Sequence, residues 1–344
     1  MKSHRIDLAL QGGGTHGAFT WGVLDRLLAD ERIRFGAVSG SSAGAMNAAA
    51  LAAGWTEGGR SGARETLRRF WSRVADSLHL ARWAEAWLGA APGLLAPPQH
   101  SPLQAAWDVA QSWFASPADG NPLRAALKDT VDFELVRRCT EMQLFVGATN
   151  VRSGKLRIFR GAQITLDAVV ASACLPVLFP AVEIDGEAYW DGGYMANPSI
   201  VPLLTESPNL DLMLVQVHPT QRQTVPQTPL QIIDRINEIS FHGSLVKELR
   251  SLSILRKLVR DEGIDTTRGR TPLLRKAGAL RVHRIEGGEQ LDALATAGPL
   301  EPAWHHLLAL HRAGHAAADR WLDEHYAHLG RRGTVDIVAE FLQD

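Results

Sequence analysis

Residues 6–17, IDLALQGGGTHG, run a short apolar segment straight into three consecutive glycines, and this junction limits the folds open to the chain more than any other stretch. The apolar run reads as a buried strand. From Gly17 onward, Phe19, Val23, Leu24, Leu27 and Leu28 recur at helical spacing. A buried strand that turns through glycines into a helix is the opening unit of an α/β sheet. Glycines at such a turn let backbone N–H groups converge at the positive end of a helix without obstruction by Cβ atoms. The resulting nest suits an anion, either a phosphate or the oxyanion of an acyl-transfer intermediate.

The alternation continues along the chain. FGAVSG (35–40) reads as a second short strand and AGAMNAAALAAG (43–54) as a small-residue helix after it. Further strands are predicted over 142–149, 155–159, 212–217 and 280–285, and helices over 164–173, 230–260 and 302–329. Hydrophobic strands interleaved with helices predict an α/β fold, a mostly parallel sheet covered by helices on both faces. A single domain over 1–344 is expected, with its core at 5–75 and 122–217 and a C-terminal helical extension over about 228–344. A Trp-rich helical insertion at about 76–121 interrupts it, holding Pro92, Pro97, Pro98, Pro102 and Pro117 together with Trp83, Trp87, Trp107 and Trp113. Trp83 and Trp87 are four apart and share a helical face, which reads either as the packed core of a subdomain or as a lipid-contacting lid.

Charge removes one class of partner. The formal net charge is −1, so no overall basic field recruits nucleic acid. Two cysteines, Cys139 and Cys174, make no disulfide framework and point to a reducing compartment. The N-terminal apolar run is too brief for a signal segment, and nothing later approaches a membrane span. A soluble, cytoplasmic protein is expected.

Two readings compete at the first glycines. Gly12-x-Gly14-x-x-Gly17 fits a dinucleotide fingerprint. A nucleotide site needs an acidic residue at the end of the next strand. Here Glu31 precedes that strand, which ends in Ser39-Gly40-Ser41-Ser42. The absence of Gly-Lys-Ser/Thr excludes a P-loop. GSSAGAMN (40–47) then offers G-x-S-x-G, with Ser42 between Gly40 and Gly44. A serine between a strand and a helix can sit on a sharp turn with its Oγ presented outward. Ser41 is the alternative hydroxyl, and an N-cap is the plain structural role for Ser42. Ala43 follows at the helix N-terminus, where a free N–H can stabilise an oxyanion. The third motif, YWDGGYMANP (189–198), sets Asp191 in a turn before Gly192-Gly193, after a strand AVEI. By itself that is more often a hairpin turn.

Together the three motifs, in this order, resemble the patatin-like phospholipase family. The resemblance covers about residues 5–55 and 140–217 and includes GGGTHG, GSSAG, GATNVRSGKLRIF, ASACLPVLFPAV and DGG. It implies a Ser–Asp dyad with Ser42 as nucleophile and Asp191 as its partner. It also implies an oxyanion hole from the Gly12–Gly14 loop, with Gly13, Gly14 and Thr15 as donors and Ala43 as a further one. The implied substrate is a lipid or other acyl ester, met by transient contact with a lipid surface, and the chemistry needs no cofactor or metal. The chain departs from the family at His16, where a basic Arg or Lys is usual, and at Cys174, where a small alanine or serine is usual. A histidine is neutral for much of the time near pH 7, so position 16 brings no fixed positive charge.

Thirteen histidines make a triad the rival arrangement. In α/β-hydrolases the order is Ser, acid, His, and His218 at the end of the strand LMLVQV is the best placed. The doubled glycine after Asp191 favours the dyad. An unperturbed aspartate has a pKa of about 3.9 and is a weak base, so much of the acceleration is assigned to the oxyanion hole. His311, His315 and Asp319 share one face of the last long helix, a spacing open to a metal but read as an exposed polar face.

Overall fold

The computed structural model describes residues 3–90, 121–176, 179–218, 225–227, 229–265, 271–288, 291 and 303–342. Eight strands form one sheet: β1 (His4–Leu10), β2 (Ile33–Gly40), β3 (Gln143–Asn150), β4 (Leu156–Arg160), β5 (Val182–Ile184), β6 (Glu187–Asp191), β7 (Asp211–Gln216) and β8 (Arg281–Glu286). The strand order is β5-β6-β3-β2-β1-β7-β8, with β4 also pairing β3. The pairs within β3-β2-β1-β7-β8 are parallel, and those that add β4, β5 and β6 are antiparallel. The mostly parallel α/β sheet expected from the alternation is therefore present.

Helices cover both faces: α1 (Gly17–Leu28), α2 (Ala43–Ala90), α3 (Pro122–Thr130), α4 (Phe133–Arg137), α5 (Leu166–Ser172), α6 (Val201–Glu206), α7 (Pro229–Asp261), α8 (Pro272–Ala279), α9 (Ala303–His325) and α10 (Ile337–Phe341). Because strand side chains alternate between faces, Ile6, Leu8 and Leu10 of β1 join one core with Met213 and Val215 of β7. α1, α2 and α9 close that core. Ala9, Leu212 and Leu214 point the other way, into a second core closed by α6, α7, α8 and α10.

Three sequence expectations change. The small-residue helix after Ser42 does not stop near residue 54. It continues as α2 to Ala90, kinked at Gly58 and Gly59, where the backbone leaves helical geometry. The proline cluster, Trp107 and Trp113 lie at 91–120, outside the described residues, as do the side chains of Trp83 and Trp87, and the lid reading lies there with them. The polar face of α9 is only partly solvated. His311 Nε2 stands 3.5 Å from Asp25, and Asp319 accepts from Arg26 at 2.5 Å, so this face docks on α1. Finally, Asp191 does not follow AVEI directly. A hairpin intervenes, turning at Asp185 and Gly186, both in the left-handed region (φ 52° and 78°), as a two-residue Asp-Gly turn requires.

Candidate active site

Sheet topology brings the motifs together. On β3, Gly40 pairs with Val146 and Asp191 pairs with Ala148. β4 fills the opposite edge of β3 at both levels, through Phe159 and Arg157. β6 therefore takes up the same edge of β3 where β2 leaves it. The residues just past the end of β2 and the last residue of β6 must then be neighbours.

Ser42 makes the turn from β2 into α2. Its φ of 54° lies in the left-handed region, which non-glycine residues adopt at a cost of about 1–3 kcal/mol. The surroundings enforce it. The Ser42 N–H donates to the Ser172 carbonyl at 3.1 Å and to its Oγ at 3.0 Å. Ser172 Oγ donates in turn to the Gly147 carbonyl of β3 at 2.6 Å. The Ser42 carbonyl accepts from Ala45 and Met46, the first bonds of α2. Gly40 and Gly44 are needed because backbone lies against each: a Cβ on Gly40 would lie 2.5 Å from the Gly44 carbonyl carbon, and one on Gly44 would collide with the Leu10 carbonyl oxygen. Ser41 is no rival, since its fully buried Oγ donates to the Ala196 carbonyl at 2.7 Å.

Asp191 is wholly buried and held at every backbone atom that can bond. Its N–H donates to the Cys174 carbonyl at 2.8 Å, and its carbonyl accepts from Thr149 Oγ1 at 2.8 Å. Oδ1 accepts from the Gly193 N–H at 2.7 Å. Oδ2 has no partner of full hydrogen-bond geometry, yet the Ser42 hydroxyl is close enough to lower the pKa of the carboxyl. A contact of this kind is looser in a resting site than with substrate in place. Burial outweighs both hydrogen bonds and pushes the Asp191 pKa up to about 7. This replaces the weak base of pKa about 3.9 expected from the residue type alone.

The glycine loop lies against Ser42, for a Cβ on Gly12 would stand 2.6 Å from Ser42 Cβ. Gly12 is nonetheless not a free donor. Its N–H is committed to Asn197 Oδ1 at 2.7 Å, which removes it from the donors expected of the Gly12–Gly14 loop. Among the described residues, the N–H groups of Gly13, Gly14, Thr15 and Ala43 donate to no protein group. Ala43 opens α2, so the positive end of that helix adds to them.

His218 is assembled differently from a triad base. A Cβ on Gly13 would meet its Nε2 at 2.9 Å, so the ring stands against the loop. Burial and the neighbouring His16, 6.2 Å away between ring centroids, lower its pKa to about 4 and leave it neutral. Neither Ser42 nor Asp191 is among the groups that set its protonation. Cys174 is buried, its Sγ donating to the Pro180 carbonyl at 3.0 Å, and burial with the nearby Asp191 pushes its thiol up to about 12. That suits packing, not nucleophilic chemistry. The motifs did not disclose Ser172 or Asn197, although Ser172 lies in ASACLPVLFPAV and Asn197 in YWDGGYMANP.

The model of the patatin-like phospholipase family matches residues 8–204, more than half of the chain. The chain thus belongs to the patatin-like phospholipase family, whose members are lipid hydrolases. It is also similar in structure to VipD from Legionella pneumophila, at 16% identity and a TM-score of 0.43, over 94% of this chain and 67% of that one. No curated protein matches it.

Proposed function

We propose that the protein is a serine acyl-ester hydrolase acting on lipids, with Ser42 as nucleophile and Asp191 as its base. The observation that carries this reading is a buried carboxyl, raised to about 7, beside a serine held in a left-handed turn. A base works best when its pKa lies near the working pH, and burial brings Asp191 there. The Ser42 proton passes to Asp191 as Oγ attacks the ester carbonyl. The negative charge on the carbonyl oxygen falls to the N–H groups of Gly13, Gly14, Thr15 and Ala43. Collapse expels the alcohol, which takes the proton from Asp191 and leaves an acyl-Ser42. Water then gives a proton to Asp191 and attacks the acyl carbonyl, and the acid leaves as Ser42 recovers its proton.

An apolar substrate also accounts for the surface of α7. Tyr194, three residues past Asp191, donates to Asn237 of α7 at 3.0 Å, and Ile232, Ile236 and Ile239 lie exposed along the same helix at helical spacing. This stripe is the part of the surface that we assign to transient contact with lipid. The reading treats the chain as one domain, working in the cytoplasm, in keeping with its two unpaired cysteines.

A fluorophosphonate probe followed by peptide mass analysis tests the assignment. Wild type is expected to be labelled at Ser42 and Ser42→Ala not at all, with Asp191→Asn labelled far more slowly. Labelling at another serine, or none in a folded wild type, contradicts it.

A further inference from the structure

Asn197 is fully buried, and its side-chain amide faces Gly12 across 185 positions of sequence. Oδ1 accepts the Gly12 N–H at 2.7 Å, and Nδ2 donates to the Gly12 carbonyl at 3.2 Å. Both polar groups of one glycine are thus bound by one planar amide. The Gly12 carbonyl and the Gly13 N–H are opposite ends of the same peptide plane and point in opposite directions when it is trans. Whatever fixes the carbonyl therefore aims the N–H. We propose that Asn197 is a positioning residue of the oxyanion site: by holding the Gly12 carbonyl it turns the Gly13 N–H outward, toward the reacting carbonyl oxygen, and keeps Gly12 itself out of that role.

Three further observations support this. The Gly12 Cα abuts Ser42, so the plane being set adjoins the nucleophile. The Gly13 N–H has no partner among the described residues, whereas the Gly12 N–H is satisfied. The loop also has an anchor at its base, where Gln11 Oε1 accepts the N–H groups of Val217 and His218 at 2.8 and 2.9 Å, and the His218 ring bonds the Gly12 backbone beside Asn197. Glycine has no side chain with which to choose a peptide orientation, so a loop of three needs an external clamp of this kind.

The inference rests on the catalytic reading above, and two measurements separate the two. The first compares Asn197→Asp and Asn197→Ser with wild type on a short p-nitrophenyl ester. Asn197→Asp keeps the acceptor for the Gly12 N–H but sets a carboxylate oxygen against the Gly12 carbonyl. Loss of a single oxyanion donor typically lowers kcat by about 10²–10³-fold. We expect a fall of that order, with KM within about threefold and a matching loss of affinity for an alkyl trifluoromethyl ketone, whose adduct carries the oxyanion. A folded variant with wild-type kcat overturns the role of Asn197 and leaves the catalytic reading intact. A wild type that neither hydrolyses the ester nor binds the ketone overturns both. The second measurement needs no variant at this position. In ¹⁵N-glycine-labelled wild type, assigned by Gly→Ala substitution, the ketone should shift the Gly13 amide downfield and leave the Gly12 amide in place. A downfield shift at Gly12 instead would overturn the proposal.

Discussion

A carboxyl stripped of water holds its proton more tightly, and Asp191 is raised from 3.8 to about 7 for that reason. The same burial that suits it to catalysis weighs on the fold. Between about pH 4, where an unfolded aspartate has lost its proton, and about pH 7, the native carboxyl keeps its own. The native state binds more protons across that window, so stability falls as pH rises through it and levels off above. Asp191→Asn removes the titration and preserves the acceptor for the Gly193 N–H. It is expected to be more stable than wild type, by more at pH 8 than at pH 5, in thermal melts at both. An equal difference at the two pH values would contradict a raised Asp191. Ser42 and Asp191 were legible in sequence because glycines beside them advertise their turns. Ser172 and Asn197 were not, since their partners lie 130 and 185 positions away and no local spacing encodes such a contact.

At the scale of elements, the buried parallel strands and their helices followed from apolar runs and period. β5 was legible as AVEI, whereas β6 was not, because EAYWD sets Glu187, Tyr189 and Asp191 on one face and so mixes polar with apolar residues there. The Asp185-Gly186 turn signal between them was available and marks the hairpin that sets Asp191 at a strand end. That two strands share one edge of β3 is a fact of tertiary pairing, outside the reach of pattern. β7 and β8 offer a separate test. Asp211 accepts from Arg281 through both oxygens at 2.8 Å, from the Gly330 N–H at 3.1 Å, and lies 3.2 Å from His283 Nε2. Although burial opposes it, these partners hold the Asp211 carboxyl well below the usual range. Its contribution is present above about pH 4, the unfolded value, and is lost as the pH falls toward its native pKa. Asp211→Ala should cost on the order of 3 kcal/mol near neutrality and progressively less in acid, measured by urea unfolding. A loss independent of pH would contradict the ion pair as its source.

Across the whole molecule, the C-terminal extension is part of the structure that supports the site. α9 packs on α1, the helix that follows the glycine loop, so closely that a Cβ on Gly22 would collide with the His311 carbonyl and one on Gly314 with the Phe19 carbonyl. Trp321 of α9 meets His283 of β8 edge-on at 5.4 Å. α7, from the same extension, covers the turn after Asp191: Phe241 lies against Gly193, and Ser244 Oγ donates to the Gly193 carbonyl at 3.2 Å. The long helices here were legible from their period, but not which sheet face each covers, and β8 from the same segment joins the sheet beside β7.

The most direct test is hydrolysis of p-nitrophenyl esters of graded chain length by wild type, Ser42→Ala and Asp191→Asn, followed as a function of pH. Wild type should be active, with kcat/KM rising about tenfold per pH unit on the acid side and levelling near pH 7 as Asp191 ionises. Both variants should fall by at least about 10³-fold. Substantial activity in a folded Asp191→Asn, or an acid limb centred near pH 4, would contradict a buried aspartate as the base and return attention to His218.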